Sequence, residues 1–239
     1  MLDHPMARWL DDPMEKSQMK LCWQTLVLII FLIPGIASGL PGYKVESTGA
    51  CTSTEISEAV KGALQPQGLR VTGDSGAPCE VWLRKVIPQK AGSGADYSTL
   101  ANGTFVGVIT YPGKAGDFRG QAIKAGTYTL RYQTIPQDGN HLGVSPTSDF
   151  FLLTPAASDK NPDATLEYQE LIKLARQASG TNHPHPLNLI APASGGATGF
   201  KESGEGHWAL EAKTKAQPSG GGTEVDFPIA IILIGKAEG

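Results

Sequence analysis

The sequence predicts a mainly β protein, an antiparallel β-sandwich or open barrel with two short helices, preceded by a signal-peptide helix. Runs of β-branched and aromatic residues recur along the chain, and 29 glycines and 17 prolines supply turn signals between them. Outside the apolar segment near the start, only two stretches show a helical stripe of apolar residues. Because a βαβ architecture needs a helix after nearly every strand, this pattern favours antiparallel sheets.

The apolar run from Leu21 to Ile33 has the organisation of a secretory signal peptide. It follows Lys20 and precedes small residues, so we expect cleavage near Ser38 or Gly39. The alternative is an uncleaved anchor over residues 21–40, but a span takes about 20 apolar residues and proline and glycine dilute the last third of this one. We therefore expect a secreted or periplasmic protein of bacterial type.

The chain divides into an N-terminal extension and signal peptide, residues 1–39, and a single β-rich domain, residues 40–239. The segment before Met19 is acidic, unlike the basic head of an export signal, so we expect translation to begin at Met19. A net charge of -3 and the lack of a Lys and Arg cluster argue against nucleic acid as a partner. Membrane contact is expected only through the signal segment.

Cys51 and Cys79 remain in the mature chain, since Cys22 leaves with the signal peptide. Because two cysteines remain and disulfide bonds persist in an oxidising compartment, we predict a disulfide bond between them. The alternative is two separate buried thiols.

The first half of the domain predicts one helix and four strands. Thr52 and Glu55 have capping-box spacing before an apolar stripe that ends at Leu64. The glycine-, serine- and alanine-rich stretch from residue 88 to 103 and the stretch from 112 to 120 are expected to be loops. The expected strands cover residues 69–72, 79–87, 104–111 and 126–135.

The second half predicts one more helix and four strands. Asn161 is a good N-cap with Pro162 at the first helical position, and the apolar stripe continues from Leu166 to Ala178. Residues 195–204 are expected to be a loop. The expected strands cover residues 150–153, 187–190, 207–214 and 225–234, the last two as a hairpin.

The run FRGQAIKAGTYTLRYQTIPQDGNHLGVSPTSDFFLLTPAASD, Phe118 to Asp159, resembles exported proteins of unknown function from acidobacterial-type soil bacteria. The resemblance extends upstream through residues 69–88 and 104–112. It implies an exported compartment and a core of β-sandwich type. It implies no activity, cofactor or functional residue.

His183 and His185 form the best candidate metal site, because alternate residues of an extended segment point to the same side. With a further ligand such as His141, His207 or a carboxylate they would hold Zn or Cu. The alternative without metal binding is that both histidines are exposed in a loop that flanking prolines keep extended. This pair defines the alternative function, a metal-binding protein or a metal-dependent hydrolase.

The turn-rich stretch between two expected strands is the candidate ligand-binding loop, with Asp138, Asn140, His141 and Asp149 as its polar residues. Turn formation alone explains much of this composition. The sequence shows no Gly-x-Ser-x-Gly elbow or other nucleophile signature, so we predict no catalytic residues. The main expectation is a non-enzymatic protein that binds a small ligand, a polysaccharide or an envelope protein.

Overall fold

The computed structural model describes residues 42–73, 78–90, 94–117, 120–136, 147–193, 197–204 and 206–235. These residues belong to one compact unit that extends from Pro41 to Gly239. The predicted signal segment lies outside the described residues. No helix within the described ranges has the length and apolar character required to cross a bilayer.

The fold is mainly β, as predicted, with two main sheets, a small ribbon and two helices. In chain order the strands are β1 (Lys44–Thr48), β2 (Gly68–Thr72), β3 (Cys79–Leu83), β4 (Val86–Gln89), β5 (Phe105–Tyr111), β6 (Ala115–Gly116), β7 (Ala122–Ile123), β8 (Gly126–Thr134), β9 (Asp149–Pro155), β10 (Pro186–Asn188), β11 (Gly199–Gly204), β12 (His207–Pro218) and β13 (Val225–Ile234). The helices are α1 (Glu58–Ala63) and α2 (Tyr168–Ser179).

The larger sheet has seven strands in the order β1-β2-β3-β5-β8-β9-β10, and every neighbouring pair is antiparallel. The smaller sheet has four strands. In it β12 pairs with β13 along one edge and with β11 and β4 along the other, and the β4 pairing is parallel. An isolated bridge between Leu189 and Ile231 links the end of β10 to β13.

One core cluster draws its buried side chains from both main sheets. Leu83, Ile109 and Leu130 come from the larger sheet, and Phe227 and Ile231 come from the smaller one. Alternation along each strand sends every second side chain into this shared core and the others to the opposite face. We call that opposite face of the larger sheet its outer face.

Both helices cover the outer face. Val60 of α1 packs with Trp82, Phe105 and Val108, and Leu171 and Ala175 of α2 pack with Leu152 of β9. The centre of the larger sheet is therefore buried on both sides, which explains why β5 and β8 are buried almost throughout.

The strand predicted over residues 79–87 is in fact two strands in different sheets. It breaks at Arg84, and β4 leaves the larger sheet to pair with β12 in the smaller one. Local pattern did not show this change, because both halves are apolar and extended. Two edge strands, β1 and β11, were missed because their side chains are largely exposed and their sequences carry no apolar alternation. The terminal hairpin β12–β13 is confirmed.

The predicted disulfide bond is wrong for this structure, in which Cys51 and Cys79 are separate buried thiols. Cys79 faces the shared core with Val81 and Leu83. Cys51 packs on the outer face beside Trp82, the β3 residue whose side chain points the other way. The larger sheet thus lies between the two sulfur atoms.

A buried ion pair fixes the segment from residue 155 to 167, which crosses the outer face between β9 and α2. The Arg131 guanidinium donates to both carboxylate oxygens of Asp159, Nε to Oδ2 at 2.8 Å and Nη2 to Oδ1 at 2.6 Å. It also donates to the carbonyl oxygens of Gly103, Asn161 and Ala164. We call residues 155–167 the strap.

Candidate functional site

The candidate site is a groove on the outer face, between α2 and the edge formed by β8, β9 and β10. Its volume is about 390 Å³, within the range of roughly 300–1,000 Å³ that is usual for ligand pockets. The described lining residues are Gln133, Ile135, Pro136, Phe150, Leu152, Tyr168, Ile172, Arg176, Asn182, His183, Pro184, Pro186 and Asn188. We call this the α2 groove.

Strand register builds the floor of the groove. Gln133 of β8 lies opposite Phe150 of β9, which lies opposite Asn188 of β10, so the three side chains form one row across the outer face. Leu152 and Pro186 form the next row in the same way. The floor is therefore an apolar surface with an amide side chain at each end of one row.

The wall of the groove is a single stripe of α2. Tyr168, Ile172 and Arg176 are spaced four residues apart and so lie above one another on the helix. Leu171 and Ala175, on the neighbouring stripe, hold the helix against the sheet. Tyr168 is 43% exposed, the highest value for a large apolar side chain within the described residues.

Gln133 has a buried hydrogen-bond acceptor with no protein partner. The side chain is 4% exposed, and its Nε2 donates to the carbonyl oxygen of Thr134 at 3.0 Å. Because that carbonyl can only accept, the amide orientation is fixed and Oε1 is the buried acceptor that remains. Within the described residues Oε1 has no hydrogen-bond donor.

Arg176 supplies the positive charge of the groove. Its Nε donates to the carbonyl oxygen of Asn182 at 3.1 Å, which holds the guanidinium beside the turn after α2. Its terminal amino groups form no hydrogen bond or ion pair with any described residue. No carboxylate lies among the described residues of the lining.

The two histidines of the predicted metal site differ in their surroundings. His183 is exposed at one end of the α2 groove, whereas His185 is 3% exposed and its Nδ1 lies 3.2 Å from Oδ2 of the buried Asp117. The segment is bent rather than extended, because the Thr181 hydroxyl accepts from the amide of His183 and donates to its carbonyl oxygen. β10 begins only at Pro186.

No group of three potential metal ligands occurs among the described residues. His207 lies on β12 in the smaller sheet, opposite Gly204. His141 lies outside the described residues. The predicted Zn or Cu site therefore gains no geometric support from the part of the chain that the structure describes.

Three residues of the predicted ligand-binding loop, Asp138, Asn140 and His141, also lie outside the described residues. Asp149 is the first residue of β9 and accepts a hydrogen bond from the Tyr132 hydroxyl at 2.5 Å and from the Ser148 hydroxyl at 3.1 Å. Burial and the bond to Asp149 raise the pKa of Tyr132 well above its ordinary value. Asp149 lines a shallow polar depression distinct from the α2 groove.

Sequence reasoning missed Gln133 and Arg176 as site residues. Gln133 is one of the polar residues within the alternating strand β8, and Arg176 is one of the polar residues of an amphipathic helix, so neither has a distinctive local pattern. Comparisons with protein-family models, with curated proteins and with solved structures found no match.

Proposed function

We propose that this chain is an exported β-sandwich protein that binds a small apolar ligand in the α2 groove and does not transform it. The leader-like pattern over residues 19–39 supports export, and the core shared by two sheets supports a sandwich. The α2 groove combines apolar surface with amide groups and one arginine, a set suited to holding a ligand in a fixed orientation.

The unpaired Oε1 of Gln133 carries this proposal. A buried acceptor without a partner costs roughly 1–3 kcal/mol, and it lies in a row with Phe150 on the floor of an otherwise apolar groove. A ligand with a hydroxyl or N–H donor recovers much of that cost when it binds. Its apolar body gains further from contact with Ile172 and Leu152.

Binding of N-phenylnaphthylamine tests the proposal, because this uncharged fluorophore has an apolar body and one N–H donor. We expect it to bind the chain without its predicted signal segment, with the emission increase typical of an apolar site. Ile172→Trp fills the groove and should abolish the signal. Lys173→Trp places the same ring on the next helix position, outside the groove lining, and should retain it.

A second variant keeps the test independent of the new tryptophan. Gln133→Leu removes the acceptor, so we expect affinity for N-phenylnaphthylamine to fall by about tenfold. The same variant should leave the affinity for phenylnaphthalene, which has no donor, unchanged or higher. Fluorescence enhancement that survives in Ile172→Trp, or no enhancement with the native chain, would contradict the proposal.

A further inference from the structure

We infer that the ligand of the α2 groove is an amphipathic carboxylate with a hydroxyl or amide donor, and that Arg176 recognises its anionic group. This inference rests on the proposed function. Beyond that function, it specifies that the ligand carries a negative charge and that Arg176 is the residue that recognises this charge.

The charge of the described groove lining has one sign. Arg176 brings a permanent positive charge, and the described lining holds no carboxylate to neutralise it. The closest exposed cation on the same helix, Lys173, adds to this charge in the adjoining depression that Arg176 also lines. An anion that enters the groove therefore meets the charge of Arg176 without a competing carboxylate among the described lining residues.

The guanidinium is also held in place. Its Nε is engaged with the Asn182 carbonyl oxygen, so its terminal amino groups retain donors in a fixed plane. This fork matches the two oxygens of a carboxylate, which accept parallel hydrogen bonds from it. Its position in the last turn of α2 gives Arg176 a favourable interaction with the helix dipole but provides no protein partner for those terminal donors among the described residues.

The two polar features together define the ligand class. Gln133 Oε1 would accept a hydrogen bond from a donor group of the ligand, and Arg176 would donate hydrogen bonds to a negatively charged acceptor. Between these groups, the floor and wall offer apolar contacts from Phe150 and Ile172. A medium-length hydroxy fatty acid or an N-acyl amino acid has all three features.

Displacement of N-phenylnaphthylamine by β-hydroxydecanoate and by its methyl ester tests the inference. The two competitors share the chain and the hydroxyl and differ in the negative charge. We expect the acid to displace the fluorophore at about tenfold lower concentration than the ester. In Arg176→Gln this preference should disappear, so that acid and ester displace the fluorophore at equal concentrations, both judged against the fluorophore affinity of the variant itself.

Lys44→Gln is the matched control, because it makes the same charge change on exposed β1, at the opposite edge of the larger sheet. It should keep the preference for the acid. Equal displacement by acid and ester in the native chain, or a preference that persists in Arg176→Gln, would overturn the inference and leave binding of the fluorophore intact. Failure of the fluorophore itself to bind would instead reject the groove as a ligand site.

Discussion

Arg131 shows how one buried charge organises its surroundings. The side chain is fully buried and pairs with Asp159, which is 4% exposed, and it lies 5.5 Å from the centre of the Phe105 ring. Thr129 and Thr154 donate to the same carboxylate oxygen of Asp159, Oδ2. Apart from Gly103, which lies just before β5, every partner belongs to the strap or to the larger sheet beneath it, so the ion pair fixes the strap at that place.

Replacing Arg131 with methionine should destabilise the fold by about 3–5 kcal/mol, because the carboxylate of Asp159 is then buried without its cation. Arg70→Met is the control, since Arg70 forms an exposed pair with Glu80, and it should cost less than about 1 kcal/mol. Urea unfolding of both variants measures the difference. Equal losses of stability would mean that the buried pair does not hold the strap.

At the scale of the element, the strap determines where α2 begins. Asn161 and Pro162 carry a good helix start signal, yet α2 begins at Tyr168, six positions after Pro162. The carbonyl oxygens of Asn161 and Ala164 accept from Arg131, and that of Pro162 accepts from Arg84. Because these carbonyl oxygens accept hydrogen bonds from the two arginines, they do not accept the backbone hydrogen bonds that would form the first turn of a helix. The predicted C-terminal end is confirmed, with Gly180 in the left-handed conformation.

The first helix shows a similar difference. α1 is present, but its N-cap is Ser57, whose hydroxyl accepts from the amide of Val60 and donates to the carbonyl oxygen of Lys160 in the strap. The predicted capping box at Thr52 and Glu55 is wrong. Contact with the strap favours Ser57 over the equally suitable Thr52.

Gly103 is the point where the sheet meets the strap, and only glycine fits there. Its φ is +83°, and an added Cβ would clash with the backbone carbonyl of Leu166. Gly103→Ala should therefore cost about 2 kcal/mol or more. Gly62→Ala, on an open helical position of α1, should be neutral or stabilise by up to about 1 kcal/mol.

Thermal unfolding of the two alanine variants checks this contrast. A Gly103→Ala protein with the melting temperature of the native chain would show that the strap moves aside without cost.

At the scale of the whole molecule, the sheet separates the two thiols. Burial raises the pKa of Cys79 to about 12 and also raises that of Cys51. The protonated thiol is therefore favoured in the folded state. The protonated Cys79 thiol contributes fully to the stability of the fold below pH 9.0, the ordinary pKa of a cysteine. That contribution is lost as the pH rises toward about 12, the pKa of Cys79 in the folded protein.

The mature chain, residues 40–239, should keep two reduced cysteines even when purified from an oxidising compartment. We expect its intact mass to be the same before and after reduction. Iodoacetamide should label neither cysteine at pH 8 in the native protein and both after unfolding. A mass increase of two hydrogens on reduction would show instead that the cysteines are bridged and that the sheet is rearranged around them.

Local pattern was sufficient for much of the β structure. The strands β2, β5, β8 and β13 match their predicted ranges closely, because alternation and turn residues act over a few neighbouring positions. The apolar stripe also predicted both helices, although not their starting residues.

Tertiary structure alone decided the rest. Pairing between strands distant in sequence decides which sheet β4 joins and which face each cysteine occupies. The same long-range pairing places Gln133, Phe150 and Asn188 in one row. The sequence by itself determined the strand-rich class and the turns, since those follow from short-range preferences. The α2 groove required the tertiary structure, because its acceptor and its charge come from different elements and meet only when α2 packs on the sheet.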